Sequence, residues 1–195
     1  MTPPNTDEED RTGMAQLAAG HDAALNDLMA RHAERLFHYL LRILQNETEA
    51  GDIAEECFVR VYQNRARFRP GHKFTSWLYT IATNLARDSH RYRARHPHLS
   101  LEAEHPETGQ GFRDLLPDLR PTPGESLVST ERSDAVRQAV SALPEELRLP
   151  LVLAVYEDKP QAEIARILKC SPKAVEMRIY RARQELRPRL AKLLA

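Results

Sequence analysis

Residues 97–130 limit the fold more than any other part of this chain. The stretch carries prolines at 97, 106, 117, 121 and 123, five of the 13 in the sequence, and three of its seven glycines. Proline lacks the backbone N–H that a helix or a central strand needs, and it fixes φ near one value. No element of ordinary length crosses such a stretch, and no apolar period extends through it. On both sides the apolar residues return at helical spacing, whereas Val/Ile/Thr-rich alternation is almost absent. The expectation is an all-α chain of two small helical domains on a flexible linker. Their boundaries fall at about 14–96 and 131–195, with 97–130 as the linker and 1–13 as a mobile tail. A brief helical turn near Phe112–Leu116 is all the order expected inside the linker.

The first domain reads as three helices. One runs from Asp22 to about Leu44, with Leu25, Leu28, Met29, Leu36, Leu40 and Ile43 at steps of three and four. A second covers about 50–66, with Ile53, Cys57 and Val61 in one row and Ala54, Phe58 and Tyr62 beside it. A Pro70-Gly71 turn leads to a third over about 74–94, with Trp77, Ile81 and Leu85 as its expected core row. In the second domain the period resumes at Val136, Val140 and Leu143, then Leu147, Leu151 and Val155. Pro150 predicts a bend there.

Charge divides the chain as sharply as proline does. Lys+Arg against Asp+Glu is 4 to 12 over residues 1–59, 9 to 1 over 60–96, 6 to 12 over 97–160 and 9 to 3 over 161–195. The net charge of zero is therefore a sum of alternating blocks. Like charges crowded together repel, so two segregated basic surfaces point to a polyanion gripped twice, with acidic surfaces for other partners. No stretch approaches the roughly 20 apolar residues needed to span a bilayer, so no membrane insertion is expected. The acidic, polar start MTPPNTDEEDRTG is the opposite of a signal peptide. Cys57 and Cys170, one in each half, fit a reducing cytoplasm.

Residues 161–187 carry the most specific local pattern. Gln161 to Leu168 form a short helical segment, Lys169-Cys170-Ser171 a tight turn, and Pro172 onward a second helix with Ser171 as N-cap and Pro172 in first position. This is a helix-turn-helix, whose second helix enters the DNA major groove. Val175, Ile179, Ala182 and Leu186 make its core stripe, leaving Lys173, Glu176, Met177, Tyr180, Arg181, Gln184 and Arg187 outward. Cations there neutralise phosphates, Glu176 can accept from a cytosine amino group and Arg181 can donate to guanine. Lys169 holds the turn position that glycine commonly fills in the left-handed conformation, at a cost of roughly 1 kcal/mol.

The other basic block differs in kind. Its helix shows Asn84, Arg87, Asp88, Arg91 and Arg95, and the loop before it adds Arg67, Phe68, Arg69 and Lys73. Aromatics and amides among arginines suit unstacked bases, which need a π-face and a polar edge reader. Phe68, in the loop, is the candidate stacking platform, and Trp77 is expected in the core. The residues themselves leave single- and double-stranded DNA both open. Enzyme chemistry finds no support: there is no Gly-rich phosphate loop, no nucleophile elbow and no metal-spaced Cys/His set. His90, His96 and His98 cluster, but no cysteine completes a site. Cys57 lies in an apolar row and Cys170 in a turn. No catalytic residue, cofactor or metal is expected.

The stretch Gly51-Asp-Ile-Ala-Glu-Glu-Cys-Phe-Val-Arg-Val-Tyr62, the run from Phe68-Arg69 through Phe74-Thr-Ser-Trp77 to Asn84, and Leu143-Pro-Glu-Glu-Leu-Arg148 with Glu163-Ile-Ala and Val175–Arg183 resemble, in that order, three segments of extracytoplasmic-function (ECF) RNA polymerase sigma factors. The resemblance covers about 14–96 and 131–190. It implies a sigma region 2 domain, a linker threaded through polymerase and a region 4 domain. It implies a promoter-specificity subunit whose partners are the clamp of the largest polymerase subunit, promoter DNA both duplex and single-stranded, and an anti-sigma factor. Under it Asp52, Glu55 and Glu56 bind core polymerase. Arg60, Phe68, Arg69, Asn84, Arg87, Asp88 and Arg91 meet the minus-ten element, and Lys173, Glu176, Met177, Tyr180 and Arg181 the minus-thirty-five element. Glu176 stands where many relatives are basic, and Pro160 where they carry a capping serine. Two rivals are a stand-alone helix-turn-helix regulator, which leaves the N-terminal basic module unexplained, and a sigma-factor mimic that titrates an anti-sigma factor, which has no need of DNA-reading residues.

Overall fold

The computed structural model describes residues 6–96 and 135–194, and every regular element among them is helical. Helix α1 is Thr6–Ala18, α2 Ala23–Leu44, α3 Glu47–Gln63 and α4 Phe74–Arg95, with a single 3-10 turn at Arg65–Arg67. Helix α5 spans residues 135–141. Then come α6 Glu145–Val155, α7 Gln161–Leu168 and α8 Pro172–Leu194. The expected linker and its turn near Phe112–Leu116 lie outside the described residues.

The expected tail is corrected first. Residues 6–13 belong to α1, which packs against α2. Asp7, Glu8 and Glu9 stand in its first turn, where the helix dipole favours negative charge, and Met14 and Leu17 are buried. Asp10 is only 1% exposed. A buried carboxylate is costly unless paired, and this one lies 3.1 Å from Arg31 Nε and 2.8 Å from His32 Nε2. The segment's acidity is thus partly internal to the fold.

Helix α2 ends at Gln45, which takes the left-handed conformation (φ 58°) and donates its N–H to the Leu41 carbonyl. The chain then restarts at once, because the extended Asn46 accepts the Glu49 N–H at 3.0 Å through its side chain. That cap places the start of α3 at Glu47, earlier than periodicity alone suggests. In α4 the buried row is Phe74, Leu78, Ala82 and Ala86, while Trp77, Ile81 and Leu85 flank it half-buried. The expected row was offset toward the largest side chains; alanines carry the closest helix contact. Tyr39 of α2 fills the centre, its hydroxyl 2.8 Å from Thr83 Oγ1 and its ring 4.9 Å from that of Tyr79.

In the second module Pro150 sits inside α6 without ending it. Leu147, Leu149, Leu151, Val152 and Leu153 are all buried around it, since α6 is covered by α2, α7 and α8. Packing on every side outweighs the missing hydrogen bond. Val155, expected in the core row, is instead exposed at the end of the helix. The two modules also touch each other: α6 packs on α2 and α7 on α4.

Candidate nucleic-acid and polymerase interfaces

The helix-turn-helix forms as its local chemistry dictates. Lys169 adopts φ 53°, ψ 48°, and Ser171 Oγ accepts the Ala174 N–H at 3.1 Å. Pro160 makes no side-chain cap, so its carbonyl alone takes the Glu163 and Ile164 N–H groups at 2.9 and 3.0 Å. Val175, Ile179, Ala182 and Leu186 of α8 are buried. Lys173, Glu176, Met177, Tyr180, Arg181, Gln184 and Arg187 all point to solvent. Tyr180 is 57% and Met177 41% exposed, an amphipathic pair between charged neighbours. Lys173 Nζ lies 2.9 Å from Glu176 Oε2, so the acidic residue in this face is locally balanced.

On α4, Trp77, Thr80, Asn84, Asp88 and Arg91 follow one face of the helix by their 3.6-residue spacing. At its N-terminal end lies a cavity of about 280 Å³ lined by Arg67, Phe68, Arg69, His72, Lys73, Ser76, Trp77, Thr80 and Arg166. The Phe68 ring is 5.3 Å from Trp77 and 6.3 Å from Phe74, so these three aromatics act as one cluster. Trp77 therefore shares the cavity wall with Phe68 instead of lying in the core as expected. The Ser76 hydroxyl is buried there without a hydrogen-bond partner. A cavity with aromatic walls, a spare hydroxyl and basic rims has the chemistry to hold a planar base.

The candidate residues do not all meet at that cavity. Phe68 and Arg69 line it; Asn84, Arg87, Asp88 and Arg91 lie farther along α4. Arg60 belongs to α3 and is engaged by Glu56 at 2.5 Å. Arg87 Nε is 2.9 Å from Glu145 of α6, and Arg91 is 2.7 Å from Asp88. Ser76, Thr80, His72 and Arg166 were missed in the sequence. Helical spacing from Asn84 back to Thr80 and Ser76 could have found two of them; nothing local could have found Arg166, which arrives from α7.

On α3, Asp52, Glu55 and Glu56 lie at i, i+3 and i+4, and Val59 at i+7 extends that face with 40% exposure. An acidic face with an exposed aliphatic residue at its end suits a basic protein surface. Elsewhere, burial and the neighbouring Glu56 push the Cys57 thiol upward, as expected of a core residue. His96 stacks on Tyr92 at 4.4 Å, and among the described residues no three potential ligands gather to hold a metal.

The Sigma-70 region 2 family matches residues 28–96, and the Sigma-70, region 4 family residues 133–186. The ECF RNA polymerase sigma factor SigW of Bacillus subtilis is 34% identical over 181 residues, covering 91% of this chain and 95% of SigW. This chain belongs to the ECF sigma factors. The RNA polymerase sigma-H factor of Pseudomonas aeruginosa is 30% identical over 190 residues, 97% of each chain. Among solved structures, CnrH in complex with the cytosolic domain of CnrY aligns with TM-score 0.65 at 28% identity, over 94% of this sigma factor and 98% of that chain. The sigma factor RpoE of Bartonella quintana, in complex with the anti-sigma factor NepR, shares the fold with TM-score 0.66 at 19% identity, over 85% and 96%. No helix among the described residues is long and apolar enough to cross a membrane.

Proposed function

We propose that this sigma factor, a promoter-specificity subunit of bacterial RNA polymerase, divides its work among three faces. Asp52, Glu55 and Glu56 dock on the clamp of the largest polymerase subunit. Lys173, Glu176, Met177, Tyr180 and Arg181 read upstream duplex in the major groove. Phe68 and Arg69, with Asn84, Arg87, Asp88, Arg91 and Arg60 along the approach, hold the non-template strand once it is melted. The observation that carries this division is the aromatic-walled, basic-rimmed cavity at Phe68 and Trp77. Duplex DNA keeps its bases stacked, and such a cavity has a use only for a base that has left the stack. A stand-alone duplex-binding regulator leaves it without a role. In this reading the protein is cytoplasmic, performs no catalysis itself and needs no cofactor. An anti-sigma factor is a further proposed partner; the similar CnrH was solved in complex with a second protein, the cytosolic domain of CnrY.

Reconstitution with core polymerase on fragmented genomic DNA, with transcript starts mapped, tests the reading. Expected are discrete starts preceded by a shared sequence near minus ten and another near minus thirty-five. Random starts, together with failure to co-elute with core, would reject it. Replacing Asp52, Glu55 and Glu56 by Ala is expected to abolish co-elution while leaving the helical circular dichroism unchanged.

A further inference from the structure

The connection between α6 and α7 closes the two modules on each other through four consecutive residues. The Arg42 guanidinium of α2 lies 4.3 Å from the Tyr156 ring centroid. Glu157, 3% exposed, accepts from Arg35 Nε at 2.9 Å and from the Tyr79 hydroxyl. Asp158, held in the left-handed conformation at φ 51°, stands 3.6 Å from Arg35 Nη2. Lys159 Nζ donates to Thr75 Oγ1 at 3.0 Å and sits 5.1 Å from the Tyr79 ring centroid. Every partner named lies on α2 or α4, and every reaching residue belongs to the C-terminal module. A buried carboxylate is tolerated only where it is paired, so Glu157 ties its module's position to Arg35 and Tyr79.

The closed pair and a promoter make incompatible demands. The minus-ten and minus-thirty-five elements lie about 25 base pairs apart, which at about 3.4 Å per pair is about 85 Å. A compact chain of this length has a radius of gyration of about 16 Å and a diameter of about 40 Å. Residues 97–134 could bridge the span, since 38 residues reach about 130 Å at full extension. The closed pair itself cannot. Closure also occupies the single-strand face: Glu145 holds Arg87 at 2.9 Å, and Arg166 of α7 lines the Phe68–Trp77 cavity. Glu145 thus stands where a phosphate is proposed to come, and Arg166 takes up room at the cavity proposed for a base.

We infer that Glu157, with Arg35 and Tyr79, is the clasp of an autoinhibited state of this sigma factor, in which the C-terminal module masks the minus-ten face until polymerase separates the two. The inhibitory consequence rests on the function proposed above; the clasp itself rests on geometry alone. When only a fraction of molecules is open, apparent affinity for core falls by that fraction. Releasing the clasp therefore tightens core binding.

The test compares the full chain with Glu157→Arg and with the paired exchange Glu157→Arg, Arg35→Glu. Small-angle scattering reads the closure, titration of fluorescent core polymerase reads affinity, and circular dichroism confirms that each module stays helical. Glu157→Arg is expected to raise the radius of gyration from about 16 Å for the compact chain to more than 20 Å. It is also expected to tighten apparent core affinity about tenfold, corresponding to a tenfold larger open fraction. The paired exchange is expected to reverse both, which a direct effect of residue 157 on polymerase would not do. An unchanged radius for Glu157→Arg would overturn the clasp. An expanded chain with unchanged core affinity would overturn autoinhibition. Absence of core binding by all three proteins would sink the promoter-subunit reading and the inhibitory consequence with it, whereas scattering still decides the clasp.

Discussion

The two basic surfaces of this sigma factor are kept in different conditions. On α8 the outward side chains are clear of the rest of the molecule, with the Lys173–Glu176 pair the one ion pair on the proposed duplex-reading face among the described residues. Around α4 the cations are engaged by acidic groups, often from distant segments: Lys73 by Asp7 at 2.8 Å, Arg87 by Glu145 at 2.9 Å and Arg93 by Glu49 at 2.6 Å. The alternating charge blocks thus meet in space, acid from the first and third blocks facing base from the second. A surface that reads duplex can remain open, because major-groove contacts need only a rigid helix at the right pitch. One that grips bare bases carries aromatic and hydroxyl groups that would otherwise bind whatever single strand came by. The surfaces also differ in how they join the core. Tyr180 and Arg181 stand off it, whereas Phe68 and Trp77 pack on the ring of Phe74, which is 1% exposed.

The largest expected effect exploits that difference. Phe74→Ala should cost about 3–5 kcal/mol of stability in urea unfolding, because it removes a fully buried ring that touches Phe68, Trp77 and His32. Tyr180→Ala should leave stability within about 0.5 kcal/mol while weakening duplex binding. Equal destabilisation by both would break the contrast. Next in size, Arg181→Ala is expected to lose about 1–3 kcal/mol of discrimination at one upstream base pair, and Glu176→Gln a similar amount at another, read by competition binding over a randomised site. A uniform loss across sequences would make either residue a phosphate contact or a bystander. Smaller still, Lys169→Gly should raise the melting midpoint modestly, by about 1 kcal/mol of relieved left-handed strain. No gain would show that the lysine stem is held by packing that glycine gives up.

The smallest effect is a pH dependence confined to the N-terminal module. Burial and the nearby Arg42 hold the His38 imidazole below its ordinary 6.5. The unfolded chain therefore takes that proton first as pH falls, and stability declines below about pH 6.5. At the other end, burial raises the Tyr39 hydroxyl above its ordinary 10.0 and the Cys57 thiol above 9.0. The unfolded chain ionises first there, so stability also falls as pH rises past about 9. Urea midpoints measured across pH should show both slopes, and His38→Gln should remove its share of the acidic one.

How much of this was legible in the sequence depended on range. Ser171, Pro172, Lys169 and the stripe of Val175, Ile179, Ala182 and Leu186 were readable, because caps, turns and helical period act within a few residues. The all-helical class and the end of α4 at Arg95 followed from the same local signals. Helix α1 was not readable. Its acidic run resembles a solvated tail, and the residues that bury Asp10 are Arg31 and His32, a helix away. The α4 core row was misplaced because Trp77 and Ile81 outweigh Ala82 and Ala86 in any reading by size, although small residues let helices approach. The candidate site was legible as a list but not as a place. Phe68 and Arg69 share a cavity with Ser76, Thr80 and the distant Arg166, while Arg60 stays on α3. The clasp was invisible for the same reason, since Glu157 lies 78 residues from Tyr79 and 122 from Arg35.

The division of labour between the two surfaces is tested most directly by site-specific photocrosslinking in the reconstituted initiation complex. A photoreactive residue replaces Tyr180 in one protein and Phe68 in another. The account predicts that position 180 crosslinks to upstream duplex near minus thirty-five in closed and open complexes alike. Position 68 should crosslink to the non-template strand near minus ten, and only after melting. Crosslinks from position 68 to unmelted duplex, or from both positions to the same element, would contradict it.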